Sequence, residues 1–347
     1  MRVLVVDDSA FMRRAVHTML NSEPGIEVVA IARNGKEGLE LAQKLKPDVI
    51  TLDIEMPEMD GLTALRRIMR ECPTNVIMVS SLTTEGSVAS LQALRLGAAD
   101  VIAKDQSQVS LTITNMRDEL IHKVKAIGVR KHRAPHAPAS TPQATSTFSL
   151  TGKTFDMILI GSSTGGPPVL ETIFTSLPQG FTTPVVVAQH MPELFTKSMA
   201  QRLDEVSVLH VQHGENRMPI QRGCAYIAPG GLHTHIRKTR LAQWHLEVGT
   251  QPASALYRPS ANALFESAAQ SVGSRCLAIV LTGIGDDGCN GARELHAKHA
   301  AVLAQSEETC VVYGMPKAVT QAGITQASLS PEQLGQALAG LARSAAA

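Results

Sequence analysis

Two α/β domains joined by a polar tether are the architecture this sequence predicts, on three observations. The chain has 347 residues, a length that suits two domains of ~100–200 residues each. Five short apolar runs alternate with helix-like patterns in the first third. After a stretch rich in proline and small polar residues, a second set of apolar runs begins, each run ending in polar or glycine-rich turns. The first set predicts a doubly wound, parallel five-stranded sheet, and the second an α/β domain with a mainly parallel sheet.

In the first segment the runs Val3–Val6, Val28–Ile31, Val49–Leu52, Val76–Val79 and Val101–Ala103 suit strands buried on both faces. Between them lie amphipathic patterns such as Leu65, Ile68, Met69 and Cys72, spaced i, i+3, i+4, i+7 on one helical face. Functional residues of such a domain belong at the carboxyl ends of its strands. Residues 128–152, GVRKHRAPHAPASTPQATSTFSLTG, lack apolar periodicity and cannot offset their ordering entropy by burial. They are expected to form a flexible linker between a domain at 1–127 and another at 153–347.

The overall formal charge of +1 conceals this division. Residues 1–127 hold 15 basic and 17 acidic side chains, the linker adds three basic ones, and residues 153–347 hold 14 of each. A balanced, long second domain is unlike the short basic output of a DNA-binding regulator, and eleven aromatics are too few for a single-strand stacking platform. Nucleic acid is therefore not an expected partner. The five cysteines, with no C-x-x-C, argue against a disulfide framework or cysteine zinc site. No run approaches ~18 apolar residues, so direct membrane insertion is not expected and a cytoplasmic location is.

Acidic residues follow the expected strands of the first domain. Asp7 and Asp8 end the first, Asp53 ends the third, Ser80 closes the fourth and Lys104 ends the fifth. Any one of these has a plain reading, since Asp is a good helix N-cap. Together, converging carboxylates repel one another unless a hard divalent cation joins them. One carboxylate can then act as a nucleophile toward a phosphoryl donor, and a nearby ammonium and hydroxyl can hold the new phosphoryl oxygens.

Through VVDDSAFMRR, LDIEMPEMDG, VSS and AKD, residues 1–125 resemble the response-regulator receiver family, whose fold is flavodoxin-like. That resemblance implies Asp53 as phosphoacceptor, with Mg²⁺ held by Asp8 directly, by Asp7, by Asp53 and by the Glu55 backbone carbonyl. Ser80 and Lys104 take the places of the switch hydroxyl and the phosphate-binding lysine. One departure is Asp105, where receivers usually carry proline after that lysine.

In the second domain, Phe155–Ile160 reads as a strand running into Gly161-Ser162-Ser163-Thr164-Gly165-Gly166. Three readings compete. The glycines can cradle a phosphate at a helix N-terminus, they can simply supply positive φ in a tight turn, or the G-x-S-x-G spacing can present Ser163 as a nucleophile. A serine nucleophile needs a base and an orienting carboxylate. Pro184–Gln189 ends at His190, and Leu277–Leu281 runs into a loop holding Asp286 and Asp287. Chemically suitable residues thus follow three separate strands, in the order Ser, His, Asp, which is not the order of the α/β-hydrolases, chymotrypsin or subtilisin. His190 as a structural histidine, and the two aspartates as turn formers, are the alternatives.

The stretches IGSSTGGP, QHMPELFTKSMAQRLD, YIAPGGLH, YRPSANALFESAA, LTGIGDDGCNG and VVYGMPKAV resemble the chemotaxis protein-glutamate methylesterase family, the CheB type. The likeness spans nearly the whole chain, receiver first. It implies Ser163 as nucleophile, His190 as base and Asp287, rather than Asp286, as the orienting carboxylate. The backbone N–H groups of Thr164 and Ile284 are the expected oxyanion hole, with Ile284 standing where the family usually has Met. The reaction implied is hydrolysis of γ-glutamyl methyl esters on chemoreceptors, with deamidation of particular glutamines, needing no cofactor in the hydrolase domain. The implied phosphodonor is the chemotaxis histidine kinase. A further expectation is that the unphosphorylated receiver covers the serine site, so that phosphorylation at Asp53 raises activity.

Two rival functions are a transcriptional response regulator and a non-catalytic adaptor. The balanced charge of 153–347 opposes the first, and the joint presence of Ser163, His190 and Asp287 opposes the second. The pairs His233/His235 and His296/His299 lack a third ligand at a recognisable spacing, and Cys289 reads as a buried structural cysteine.

Overall fold

The computed structural model describes residues 1–104, 111–129, 148–150 and 152–345. It divides into two compact units, Met1–Gln143 and Ala144–Ala347. Asp105, and residues 130–147 and 151 of the expected linker, lie outside the described residues.

The first unit alternates strand and helix throughout: β1 (Arg2–Val6), α1 (Ala10–Asn21), β2 (Glu27–Ala32), α2 (Gly35–Leu45), β3 (Val49–Asp53), α3 (Gly61–Glu71), β4 (Asn75–Ser81), α4 (Thr84–Arg95), β5 (Asp100–Lys104) and α5 (Leu111–Gly128). The strands pair in the order β2-β1-β3-β4-β5, all parallel. Residues Val3–Val6, Val49–Asp53 and Asn75–Ser80 are buried throughout, which is why the inner strands read as unbroken apolar runs. Ser9, Asn34, Asp60 and Thr83 cap α1 to α4, each side chain accepting a backbone N–H of the first turn. Leu65 and Ile68 of the expected helical stripe are buried and Met69 is half-buried, but Cys72 lies just past the end of α3 as its C-cap.

The second unit contains β6 (Met157–Ser162), α6 (Gly166–Thr175), β7 (Val185–Gln189), α7 (Glu193–Val206), β8 (His210–His213), β9 (Cys224–Ile227), β10 (His233–Lys238), β11 (Trp244–Gly249), α8 (Ala261–Ser271), β12 (Cys276–Val280), α9 (Cys289–Ala297), β13 (Ala301–Gln305), α10 (Met315–Gln321), β14 (Ala327–Leu329) and α11 (Pro331–Ala345). Seven strands form one sheet in the order β14-β13-β12-β6-β7-β9-β8, every pair parallel. β10 and β11 form a separate antiparallel hairpin that no sequence pattern indicates. Packing is tight where α8 crosses the sheet: a Cβ on Gly161 would stand 2.7 Å from the Cβ of Ala261. Leu159, Val186, Leu264, Phe265, Val280 and Leu295 meet in the core there.

This order decides where chemistry can occur. β6 is central, with β7 on one side and β12 on the other. The chain therefore leaves β6 in one direction and later returns on its opposite flank, a topological switch point of the kind at which α/β sheets place their sites, at the carboxyl ends of the strands. Ser163, His190 and the Asp287 loop each follow one of the three.

Candidate active site and acidic pocket

Register brings the first two residues together. Ser162 of β6 pairs with Gln189 of β7, so Ser163 and His190 occupy the next positions of adjacent strands. The His190 N–H donates to the Ser162 carbonyl at 3.0 Å, and the Ser163 N–H donates across the other flank to the Thr282 carbonyl, also at 3.0 Å. Gly165 supplies the turn into α6 with φ of 77°, where its Cβ would also stand 2.5 Å from Val311. Ser163 is not among the residues with positive φ. Gly165 thus relieves the turn while the serine keeps an ordinary backbone.

His190 and Asp287 form a buried pair, with Nε2 at 2.8 Å from Oδ2. Asp287 also accepts from the Ser260 hydroxyl at 2.9 Å and from the N–H groups of Ala261 and Asn262 at 2.6 and 3.0 Å. These groups are the N-cap and first turn of α8, where a carboxylate is favoured by the aligned peptide dipoles. Burial pushes the Asp287 carboxyl up, but the His190 ring and the two N–H groups outweigh it and hold it below its ordinary value. Asp286 is exposed, and its carbonyl accepts the Cys289 N–H at the start of α9. Of the adjacent pair, Asp287 is the one that meets the histidine.

An ionised carboxylate can only accept, so Nε2 carries the proton. Nδ1 is then the basic nitrogen, and it is buried with no hydrogen-bond partner among the described residues. The ring lies flat against Tyr257, centroids 4.3 Å apart and planes 10° from parallel.

The directions of Thr164 and Ile284 N–H follow from the carbonyls before them. The Ser163 carbonyl accepts from Gly166 N–H at 2.8 Å and from the Gln189 side-chain amide at 2.9 Å. The Gly283 carbonyl accepts from Gly314 and Met315 N–H at 3.1 and 3.0 Å. A planar trans peptide turns its N–H opposite to its C=O, so both donors have set directions. Gly283 lies directly against the serine, since a Cβ there would approach the Ser163 Cβ to 2.8 Å. Gln189 further accepts the Ser162 hydroxyl, Gln305 accepts the Thr282 N–H at 2.8 Å, and the Thr282 hydroxyl donates to the Thr164 carbonyl at 2.9 Å.

Sequence reasoning does not single out Gln189, Thr282, Gln305, Ser260 or Tyr257. All but Gln305 lie inside the family-like stretches, but nothing local tells which groups they bond. Of the other histidines, the His233 and His235 rings are 6.5 Å apart, and His296 and His299 are exposed. Cys289 is buried.

In the first unit, oxygens of Asp7, Asp8 and Asp53 converge within 4.8 Å of one another. Ser9, rather than Asp7 or Asp8, caps α1, so the aspartate pair is released from that role. Lys104 reaches Asp7 at 2.8 Å and Asp53 at 2.7 Å. Burial pushes the Asp53 carboxyl up to about 6 although Lys104 acts to lower it. Burial also acts to lower the Lys104 ammonium, but Asp53 and Asp7 hold it above its ordinary value. One ammonium among three carboxylates leaves excess negative charge on an all-oxygen donor set, which fits Mg²⁺. Ser80 is buried and donates to the Gly86 carbonyl at 3.1 Å. The Glu55 side chain accepts from Ser81, and its backbone follows Asp53 by two residues.

Residues 158–338 match the family description CheB methylesterase, and residues 3–114 match the response regulator receiver domain. The protein-glutamate methylesterase/protein-glutamine glutaminase 1 of Oleidesulfovibrio alaskensis is 48% identical over 97% of this chain and 98% of its own. The protein-glutamate methylesterase/protein-glutamine glutaminase of Thermotoga maritima is 42% identical over 93% of each chain. The crystal structure of the Thermotoga maritima CheB methylesterase catalytic domain aligns with a TM-score of 0.52 at 37% identity, covering 54% of this chain and 99% of that one.

Proposed function

This chain belongs to the CheB methylesterase family, and from that premise we propose that Ser163, His190 and Asp287 form its catalytic triad. The activity is hydrolysis of protein glutamate methyl esters and of protein glutamine amides, under control of a receiver domain. The observation that carries the assignment is the buried His190–Asp287 pair, 2.8 Å apart, at the strand end beside Ser163.

In the reaction, Nδ1 of His190 takes the Ser163 proton as Oγ attacks the ester carbonyl carbon. Asp287 holds Nε2–H and balances the positive charge of the imidazolium. The carbonyl oxygen becomes an oxyanion, to which Thr164 and Ile284 N–H donate. As the C–O bond to methanol breaks, His190 returns its proton to the leaving oxygen. Water, deprotonated by the same Nδ1, then cleaves the acyl-enzyme to a free carboxylate and restores Ser163. With a glutamine amide the leaving group is ammonia. Methanol release from methylated receptor membranes tests this: Ser163→Ala is expected to lower kcat by about 10³-fold or more, and an unchanged rate would remove Ser163 from the role.

For the receiver, the reading is phosphorylation at Asp53 by a histidine kinase. Asp7, Asp8, Asp53 and the Glu55 carbonyl would hold Mg²⁺, which supplies charge neutralisation at the phosphoryl oxygens. Lys104 would pair with a phosphoryl oxygen, and Ser80 would turn from Gly86 to donate to another. Chemoreceptors are the proposed protein substrate and the cytoplasm the proposed location. Among the described residues, no helix is long and apolar enough to cross a membrane.

A further inference from the structure

We propose that Tyr257 is the positioning residue that fixes the His190 imidazole in its reactive orientation and stabilises it when protonated. The inference rests on the triad reading above.

The imidazole has two nitrogens with different duties, and rotation about its ring bond would exchange what faces Asp287 and what faces Ser163. The hydrogen bond at Nε2 restrains one edge only, since a ring can still pivot about a single contact. The flat stack of Tyr257 at 4.3 Å and 10° removes that freedom by covering a face. Nδ1, lacking a hydrogen-bond partner among the described residues, has no polar contact of its own to hold it. The ring plane is therefore set by Asp287 at one edge and by Tyr257 at one face.

Tyr257 is itself held from two directions. Three residues later the chain reaches Ser260, and Ser260, Ala261 and Asn262 all donate to Asp287. A single six-residue segment thus grips the carboxylate with backbone and hydroxyl and the imidazole with an aromatic face. On its other flank the Tyr257 ring packs toward the Asp287 loop, where a Cβ on Gly285 would stand 3.7 Å from its hydroxyl oxygen. The Arg258 carbonyl accepts the Gly231 N–H, and the Arg258 guanidinium donates to the Ala253 carbonyl, so the neighbouring residue anchors the segment as well.

The second contribution is electrostatic. The face of a phenol ring is the negative end of its quadrupole and attracts a cation lying over it. His190 becomes cationic only as Ser163 attacks, so this attraction strengthens in the transition state and accelerates the step. A residue that merely filled space would be replaced by an aliphatic one at no cost in kcat.

The test compares Tyr257→Phe with two ringless variants, Tyr257→Leu and Tyr257→Gln, in the full chain on methylated receptor membranes. Two readouts are taken: the kcat and KM split, and the downfield proton resonance of the His190 Nε2–H in solution. Tyr257→Phe is expected to keep kcat within about twofold and to retain the resonance. The ringless variants are expected to lose about tenfold in kcat with KM nearly unchanged, and to broaden the resonance. Wild-type kcat in either folded ringless variant overturns the proposal. So does a loss confined to KM, which marks a substrate contact, or an equal loss in Tyr257→Phe, which assigns the effect to the hydroxyl. Ser163→Ala and His190→Ala separate the two levels: activity in those variants sinks the triad reading, whereas their inactivity beside fully active ringless variants sinks only the role of Tyr257.

Discussion

The side-chain amide of Gln189 donates to the carbonyl of Ser163 at 2.9 Å, and that bond aims the peptide whose N–H belongs to Thr164. In the proposed triad, the residue before the base therefore orients the peptide after the nucleophile. Its own side-chain oxygen accepts the Ser162 hydroxyl, which fixes which way the amide points. No room exists for slack, because a Cβ on Gly166 would approach the Gln189 Oε1 to 2.2 Å.

Gln189→Leu should therefore lower kcat by about ten- to a hundredfold, less than the ~10²–10³ lost with an oxyanion donor itself, because Gly166 N–H still holds the carbonyl. KM should change little. Steady-state methanol release gives both values, and a wild-type kcat would show that Gly166 suffices.

Asp287→Asn should cost about 10³–10⁴ in kcat, because the amide stabilises the wrong tautomer of His190. It should also cost about 2 kcal/mol of stability at neutral pH, since His190, Ser260 and the N–H groups of Ala261 and Asn262 lose a charged acceptor. The Asp287 carboxyl is held below its ordinary value in the fold, so its contribution is complete above about pH 4 and disappears as pH falls through the depressed value. Urea unfolding of both proteins across pH 3–7 should show the gap closing at the acid end. A gap that stayed constant with pH would contradict the charge argument.

Asp53→Ala should abolish incorporation of a phosphoryl group from a small acyl phosphate with Mg²⁺, read by intact mass. Basal methanol release should persist, and the phosphodonor should no longer raise it. Activation surviving in this variant would place the phosphoacceptor elsewhere.

Gly61→Ala should destabilise the receiver unit by about 1–3 kcal/mol or more. A Cβ there would stand 1.9 Å from the Asp53 carbonyl oxygen, a backbone atom held by the strand. The Gly61 N–H also donates to the Ile54 carbonyl at 2.8 Å, so the loop after Asp53 closes directly onto the start of α3. Equilibrium unfolding checks the cost, and phosphoryl incorporation should fall with it.

Much of the architecture is legible in the amino-acid pattern. Val3–Val6 and Val49–Leu52 suit only strands buried on both faces, and the runs ending near Ser162, Gln189 and Leu281 place three chemically suitable residues after strand ends. The hairpin β10–β11 is not legible. His233, Thr234 and Ile236 are all buried while His235 is half-exposed, and this mixture does not make a clean alternation. The apparent helical stripe overruns α3 because Cys72 matches the period after the helix has already ended.

The sequence alone therefore determined which residue types stand at the strand ends, since burial of apolar runs dictates strand and turn locally. Tertiary structure decided the pairings. It put β6 between β7 and β12, joined Asp287 to His190 through Nε2 and laid Tyr257 on the imidazole. Each of these depends on contacts between segments tens of residues apart. Directional hydrogen bonds and ring stacking act over a few ångströms in space, and no local periodicity encodes them.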